Sequence, residues 1–201
     1  MTLVVDAGNS LVFAPGEAGS REPAERTQGR TSVEALNRLG YDAVALGDKD
    51  TLLGKAELLQ RLGEAKDFSF LSANLVDQGT GQLFAKPYVI KDIGGHRVAL
   101  IGITGPAIQG TEFSVTPPLD AAREYVRRVQ AQAGVIILLS NAGAEANKAI
   151  AEQVSGIDVI ISGGTVPLRQ PVRVGQGTLL VQADLSVPFD AGRNIAKLQV
   201  D

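Results

Sequence analysis

Residues 139–167 read LSNAGAEANKAIAEQVSGIDVIISGGTVP. An apolar run closes at Leu139-Ser140, and a glycine turn follows at Gly143. Ala146, Ile150 and Val154 then recur at helical spacing, and a second apolar run, 157–162, ends in another glycine turn. Strand, turn, helix, strand, turn is the repeating unit of an open α/β sheet, and the turns after its strands are where such sheets place their active sites. The two turns, Ser140-Asn141-Ala142-Gly143 and Ser162-Gly163-Gly164-Thr165-Val166, offer an asparagine, glycines and a valine. This fixes a fold class and leaves a question about chemistry.

The same alternation runs outward along the chain. Strand-like runs of Val, Ile, Leu and Ala fall at 3–7, 43–47, 68–73, 98–104, 135–140, 157–162 and 179–183. Several are continuous, as expected of strands covered on both faces. Helical spacing predicts helices over 31–39 (Val33, Leu36, Leu39), around Leu58, Leu59 and Leu62, over 120–132 (Ala122, Val126, Val129, with Ala133 continuing the face) and over 144–154. Two segments break the pattern. KPYVIKDIGGHRVALIGI, residues 86–103, predicts a hairpin turning at Gly94-Gly95. Residues 177–201 predict two strands joined by a Pro/Gly loop, and residues 14–30, rich in Gly, Glu, Arg and Pro, an exposed loop. The 201 residues suit one domain able to bury a real core.

Composition removes several classes of function. A net charge of −3 argues against a nucleic-acid-binding surface. No cysteine is present, so disulfides, thiolate nucleophiles and Cys-ligated metals are excluded. No run of about 18 apolar residues exists to span a membrane. The chain opens at MTLVVDAG, already within a strand, which predicts further residues ahead of Met1 in the native protein. The single histidine, His96, sits beside a hairpin turn, so a histidine triad or a multi-histidine metal site has no material. No Walker loop, Gly-x-Ser-x-Gly elbow or dinucleotide fingerprint appears.

The strand ends carry VVDAGN (4–9), LNRLGYDAVALGDKD (36–50), FLSANLVDQGTGQLFAKPYVI (70–90), GGHRVALIGIT (94–104), LLSNAG (138–143) and GIDVIISGGTVPL (156–168). In this order the motifs resemble the catalytic domain of the calcineurin-like metallophosphatases, in the bacterial 5′-nucleotidase branch. The resemblance spans nearly the whole chain. It implies a four-layer α-β-β-α sandwich with mixed sheets, an export address in the periplasm or outside the cell, and two divalent metals (Mn, Zn or Mg) held at the strand ends. Family patterns at these points read DAGD, GNHE, LSHxG and GHTH. Here Asn9 stands where the bridging aspartate belongs. Asp48 replaces the metal-binding asparagine and Lys49 the histidine that assists the leaving group, while Asp50 keeps an acid. Asn141 replaces the histidine of LSHxG, and Gly164 and Val166 replace the pair in GHTH. The family's opening Asp-x-His segment is predicted to lie upstream of Met1.

Two dications ~3.5–4 Å apart need several anionic or imidazole donors. Glycine and valine donate nothing, an asparagine cannot supply a bridging negative charge, and Lys49 adds a repelling cation. The sequence therefore predicts no dinuclear centre, no cofactor, and a catalytically silent homologue that binds an unknown protein partner or small anionic ligand in the cell envelope. Two sharper readings stay open. Asp48 and Asp50 with Asn9 and Asn141 offer oxygens for one hard ion such as Mg²⁺ or Ca²⁺. Alternatively Lys49, Asn9, Asn141 and the amides of Gly163-Gly164 converge on a phosphate or sulfate. Against these stands the plain expectation that Asp48 and Asp50 are solvated turn residues pairing with Lys49. An active metal-dependent phosphoesterase would need ligands from upstream residues or a partner. Elsewhere Tyr41, Phe70 and Tyr88 read as packing residues, Arg123, Arg127 and Arg128 as a solvated helix face, and Asn74 as a bond to local backbone. A further domain after Asp201 is left open, as is the oligomeric state.

Overall fold

The structure is a computed structural model that describes residues 2–12, 27–163, 168 and 170–182. Strands β1 (Val5–Asp6), β2 (Ala43–Ala45) and β3 (Ser69–Leu71) form a small parallel sheet in the order β1-β2-β3. Helix α1 (Arg30–Leu39) connects the first two, and a short 3-10 helix (Lys49–Leu53) with α2 (Lys55–Gly63) connects the second pair. A two-stranded antiparallel ribbon follows, β4 (Leu75–Asp77) with β7 (Phe113–Val115). The larger sheet has six strands in the order β10-β11-β9-β8-β6-β5. Its members are β5 (Tyr88–Ile93), β6 (His96–Ile103), β8 (Val135–Ser140), β9 (Val159–Ser162), β10 (Val172–Val174) and β11 (Thr178–Gln182). Its four inner strands are parallel and its two edge strands antiparallel, so this sheet is mixed. Helices α3 (Pro118–Val129) and α4 (Ala144–Gln153) supply the crossovers from β6 to β8 and from β8 to β9.

Alternation along the strands builds the layers. In β8, Ile136 and Leu138 face α3 and α4, whereas Ile137 and Leu139 face the small sheet. In β2, Ala43 and Ala45 face the large sheet, and Val44 turns to the other side, where Val33, Leu36 and Leu58 of α1 and α2 cover it. Helices, sheet, sheet, helices: this is the expected four-layer α-β-β-α sandwich. Strands of two or three residues have little ladder of their own. Burying one Leu or Ile contributes about 1.5–3 kcal/mol, so packing holds the small sheet. At one point the sheets touch by backbone. A Cβ on Gly102 would collide with the Leu71 carbonyl oxygen, and the Gly102 carbonyl accepts the Ala73 amide at 2.8 Å.

Helix faces depart from the pattern in two places. Leu39 is 67% exposed because α1 ends there and Gly40 turns the chain in a left-handed cap. Leu59 is 56% exposed, since the inner face of α2 runs through Leu58 and Arg61. Arg61 is fully buried, with Glu57 on its own helix and Glu64 at the helix C-cap as ion-pair partners. The β4–β7 ribbon and β10 are strands the sequence pattern did not show. Of the predicted C-terminal pair, the first strand is β11 and the second lies outside the described residues, as does most of the predicted 14–30 loop; Arg30 already opens α1. Phe70 is buried, Tyr41 half-buried, and Tyr88 meets Tyr125 with ring centroids 6.1 Å apart. His96 begins β6, exposed beside the Gly94-Gly95 turn.

Candidate functional site: the strand-end cluster

The carboxyl ends of β1, β2 and β8 converge. Asn9, Asp48, Lys49, Asp50 and Asn141, separated by up to 132 positions in sequence, form one hydrogen-bonded cluster there. The Asn9 amide works at both ends: Nδ2 donates to Asp48 Oδ1 at 3.0 Å, and Oδ1 accepts the Lys49 amide at 2.9 Å. Asp48 Oδ1 also accepts the Lys49 amide at 2.9 Å and so caps the 3-10 helix. The Asp48 amide donates to Asn141 Oδ1 at 3.2 Å, a bond from the small sheet to the large one. Gly163, at the end of β9, donates its amide to the Ser140 carbonyl at 2.7 Å. Gly164 and Val166 lie outside the described residues.

Asp50 corrects the expectation of a solvated turn residue. It has no exposed surface, and it accepts backbone amides from Asn9 (3.1 Å), Leu11 (3.0 Å) and Gly47 (2.8 Å). Its carboxylate stitches the loop after β1 to the loop after β2. Burial pushes this carboxyl up to about 7, against the downward pull of the three amides and with a smaller upward push from Asp6. Burial likewise raises Asp6, whose Oδ1 accepts the Gly8 amide at 2.7 Å. The alternate spacing does not bring the two carboxylates to one side, because Asp48 caps its own turn while Asp50 is bound beneath it.

Two further polar networks lie beneath the cluster, and sequence reasoning missed both. Ser72 and Thr104 hydroxyls meet at 2.7 Å, and Thr104 Oγ1 donates to the Leu46 carbonyl. Asn74 does not bond local backbone. Its Nδ2 donates to the carbonyls of Thr104 and Thr116, and its Oδ1 accepts the Thr104 amide, so it ties three distant segments. On α4 the fully buried Asn147 donates to Ser162 Oγ at 2.9 Å and accepts from Ser140 Oγ. One signal was available: Asn147 lies on the same stripe as Ile150 and Val154, and a polar residue on a buried stripe must find partners. The arginines of α3 behave as a solvated face, with Arg123 paired to Asp120 and Arg128 to Glu124.

A two-metal centre needs converging anionic or imidazole donors with lone pairs to spare. Both ends of the Asn9 amide are taken within the chain, Asp50 answers three backbone amides, and Asn141 Oδ1 accepts from Asp48. Among the described residues, no three His, Cys, Asp or Glu side chains are grouped to hold an ion. This donor set does not fit a dinuclear centre.

Comparison with known proteins sets the cluster in context. No family model matches the chain. The metallophosphoesterase YunD of Bacillus subtilis is 33% identical over 186 residues, covering 89% of this chain and 40% of YunD. The sulfate thiohydrolase SoxB of Thermus thermophilus superposes with a TM-score of 0.77 at 28% identity, over 90% of this chain and 33% of SoxB. A 5′-nucleotidase precursor of Thermus thermophilus gives 0.72 at 26% identity, over 90% and 39%. The chain thus spans about two fifths of the length of YunD.

Proposed function

Because the chain belongs to the calcineurin-like metallophosphoesterases, the family that includes the 5′-nucleotidases, we propose that it is a catalytically silent member. Its strand ends have become structural, and it serves as a binding or accessory module for a protein partner in the cell envelope. One observation carries this reading: the Asn9 amide is spent on Asp48 and Lys49, in the turn where the resemblance expects a bridging carboxylate. In this reading Asn9, Asp48, Lys49, Asp50, Asn141, Gly164 and Val166 are vestigial positions, and none is catalytic or metal-binding. The envelope address rests on the precursor status of the Thermus 5′-nucleotidase, and cell fractionation tests it. Among the described residues no helix is long and apolar enough to cross a membrane.

The deciding experiment measures bound metal and turnover together. The protein is incubated with Mn²⁺, Zn²⁺ and Mg²⁺, freed of unbound ions, analysed for metal, and assayed on a generic phosphate ester. Near-zero metal and no turnover are expected. Two ions per chain with divalent-dependent turnover overturn the proposal. The second reading, a phosphoesterase completed by ligands from elsewhere, is favoured by the half-buried Asp48 at the cluster. It predicts that turnover appears when a partner supplies the missing ligands, and is lost in Asp48→Ala.

A further inference from the structure

We infer that the strand-end cluster is a self-sealing polar plug, in which Asn9 and Asn141 lock the loops of both sheets together by hydrogen bonds alone, with no ion or anion between them. This deepens the silent reading and relies on it for the absence of a metal, but it makes a claim of its own: these side chains are kept for stability.

Three features of the geometry carry the plug. Asn9 sits at φ 65°, in the left-handed region that asparagine adopts more readily than other non-glycine residues. A turn that needed only that backbone would be served as well by glycine, which adopts it without strain. Asparagine there is explained by its two side-chain bonds, to Asp48 and to Lys49. Second, the amide fills the space it occupies. A Cβ on Gly47 would overlap Asn9 Oδ1, so the side chain lies directly against the Gly47 backbone. On the far side Asn141 packs between two glycines, its Cβ 3.3 Å from where a Gly8 Cβ would be and its Nδ2 3.3 Å from that of Gly163. Third, the bonds span what the chain alone does not. Asn9 reaches 39 and 40 positions along the sequence, and the Asp48 amide reaches Asn141 across 93. Together they link β1, β2 and β8, hence one sheet to the other.

The test is thermal melting of wild type, Asn9→Gly and Asn141→Ala, each with Mn²⁺, with EDTA and with inorganic phosphate. Asn9→Gly relieves the positive φ and removes Cβ and the amide, and the freedom that glycine adds to the unfolded chain offsets that relief. The plug predicts that it nevertheless melts about 2–4 °C below wild type, the range expected when the bond to Asp48 is lost and the Lys49 amide keeps only Asp48 as its acceptor. Asn141→Ala also melts lower, and wild type is unmoved by Mn²⁺, EDTA or phosphate. An Asn9→Gly protein as stable as wild type, with no bound metal, overturns the plug and leaves the silent reading intact. A melting point raised by Mn²⁺ together with bound metal overturns both. A rise with phosphate alone overturns the plug in favour of an anion site.

Discussion

Asp50 is the residue whose environment departs furthest from its sequence reading, and its titration has a definite sign. In the unfolded chain an aspartate loses its proton near pH 4; in the folded protein burial holds the proton up to about 7. Between those values the native state binds more protons than the unfolded state, so stability falls as pH rises through the window and is fully present only below it. Burial moves Asp6 the same way. Urea unfolding from pH 4 to 8 is therefore expected to show declining stability in wild type and a shallower decline in Asp50→Asn, with Asp6 as the remaining contribution. Identical slopes in the two proteins would mean that the three backbone amides keep the carboxylate ionised throughout. At this scale the positions of the cluster were legible in the sequence, since Asn9, Asp48, Asp50 and Asn141 all fall at strand ends. Their partners were not. Two of the three amides that Asp50 accepts come from a loop about 40 residues away, and no local pattern encodes that.

Elements were legible where packing is periodic and long enough to count. Strand β8 coincides with its predicted span, and α3 and α4 follow their apolar stripes. Strands β2 and β3 are as short as β4, β7 and β10, but they sit inside longer apolar runs, whereas β4, β7 and β10 are flanked by polar residues, Pro or Gly and so escaped; in the ribbon, Phe113 of β7 packs edge to face on Phe84 at 4.9 Å. Helix α2 shows how one position shifts a face. Leu59 reads as core yet is exposed, while Arg61 is fully buried and its Nε has no hydrogen-bond partner among the described residues. Its Nη1 lies 3.1 Å from Glu64 without hydrogen-bond geometry, so that contact is electrostatic only. Burying unsatisfied N–H groups costs about 1–3 kcal/mol, and an apolar residue of similar length avoids it. Because Glu57 and Glu64 keep partial access to water when the guanidinium is removed, Arg61→Met is expected to be as stable as wild type or more so, whereas Arg61→Ala, which leaves a cavity, loses about 2 kcal/mol or more. Chemical denaturation of the two variants separates the outcomes; a large loss in Arg61→Met would show that the guanidinium is bound by more than Glu57 and Glu64.

For the whole molecule the decisive feature is how closely the two sheets approach. Ala43 and Ala45 present the smallest side chains that keep a strand apolar, and opposite them stand Leu100, Ile137 and Leu139. With Gly102 touching Leu71 through backbone, the inner layer has no slack. Gly102→Ala is expected to cost about 1–3 kcal/mol, at the upper end because its new methyl meets a carbonyl oxygen rather than a side chain that can swing away. Enlarging the layer elsewhere tests whether the polar plug and the apolar interface act as one unit. Ala45→Val should spread the sheets at β2, three positions before the Asp48 amide that reaches Asn141. If the interface sets that distance, spreading it already breaks the bond, and adding Asn141→Ala then costs less than it does in wild type. A double-mutant cycle by urea unfolding is expected to show such coupling, of about 0.5 kcal/mol or more. Strict additivity would mean that the strand-end loops adjust independently of the sandwich beneath them. Coupling would explain how the architecture persists with polar side chains at its strand ends: amides crosslink the two sheets at the same points where the inner apolar layer holds them together.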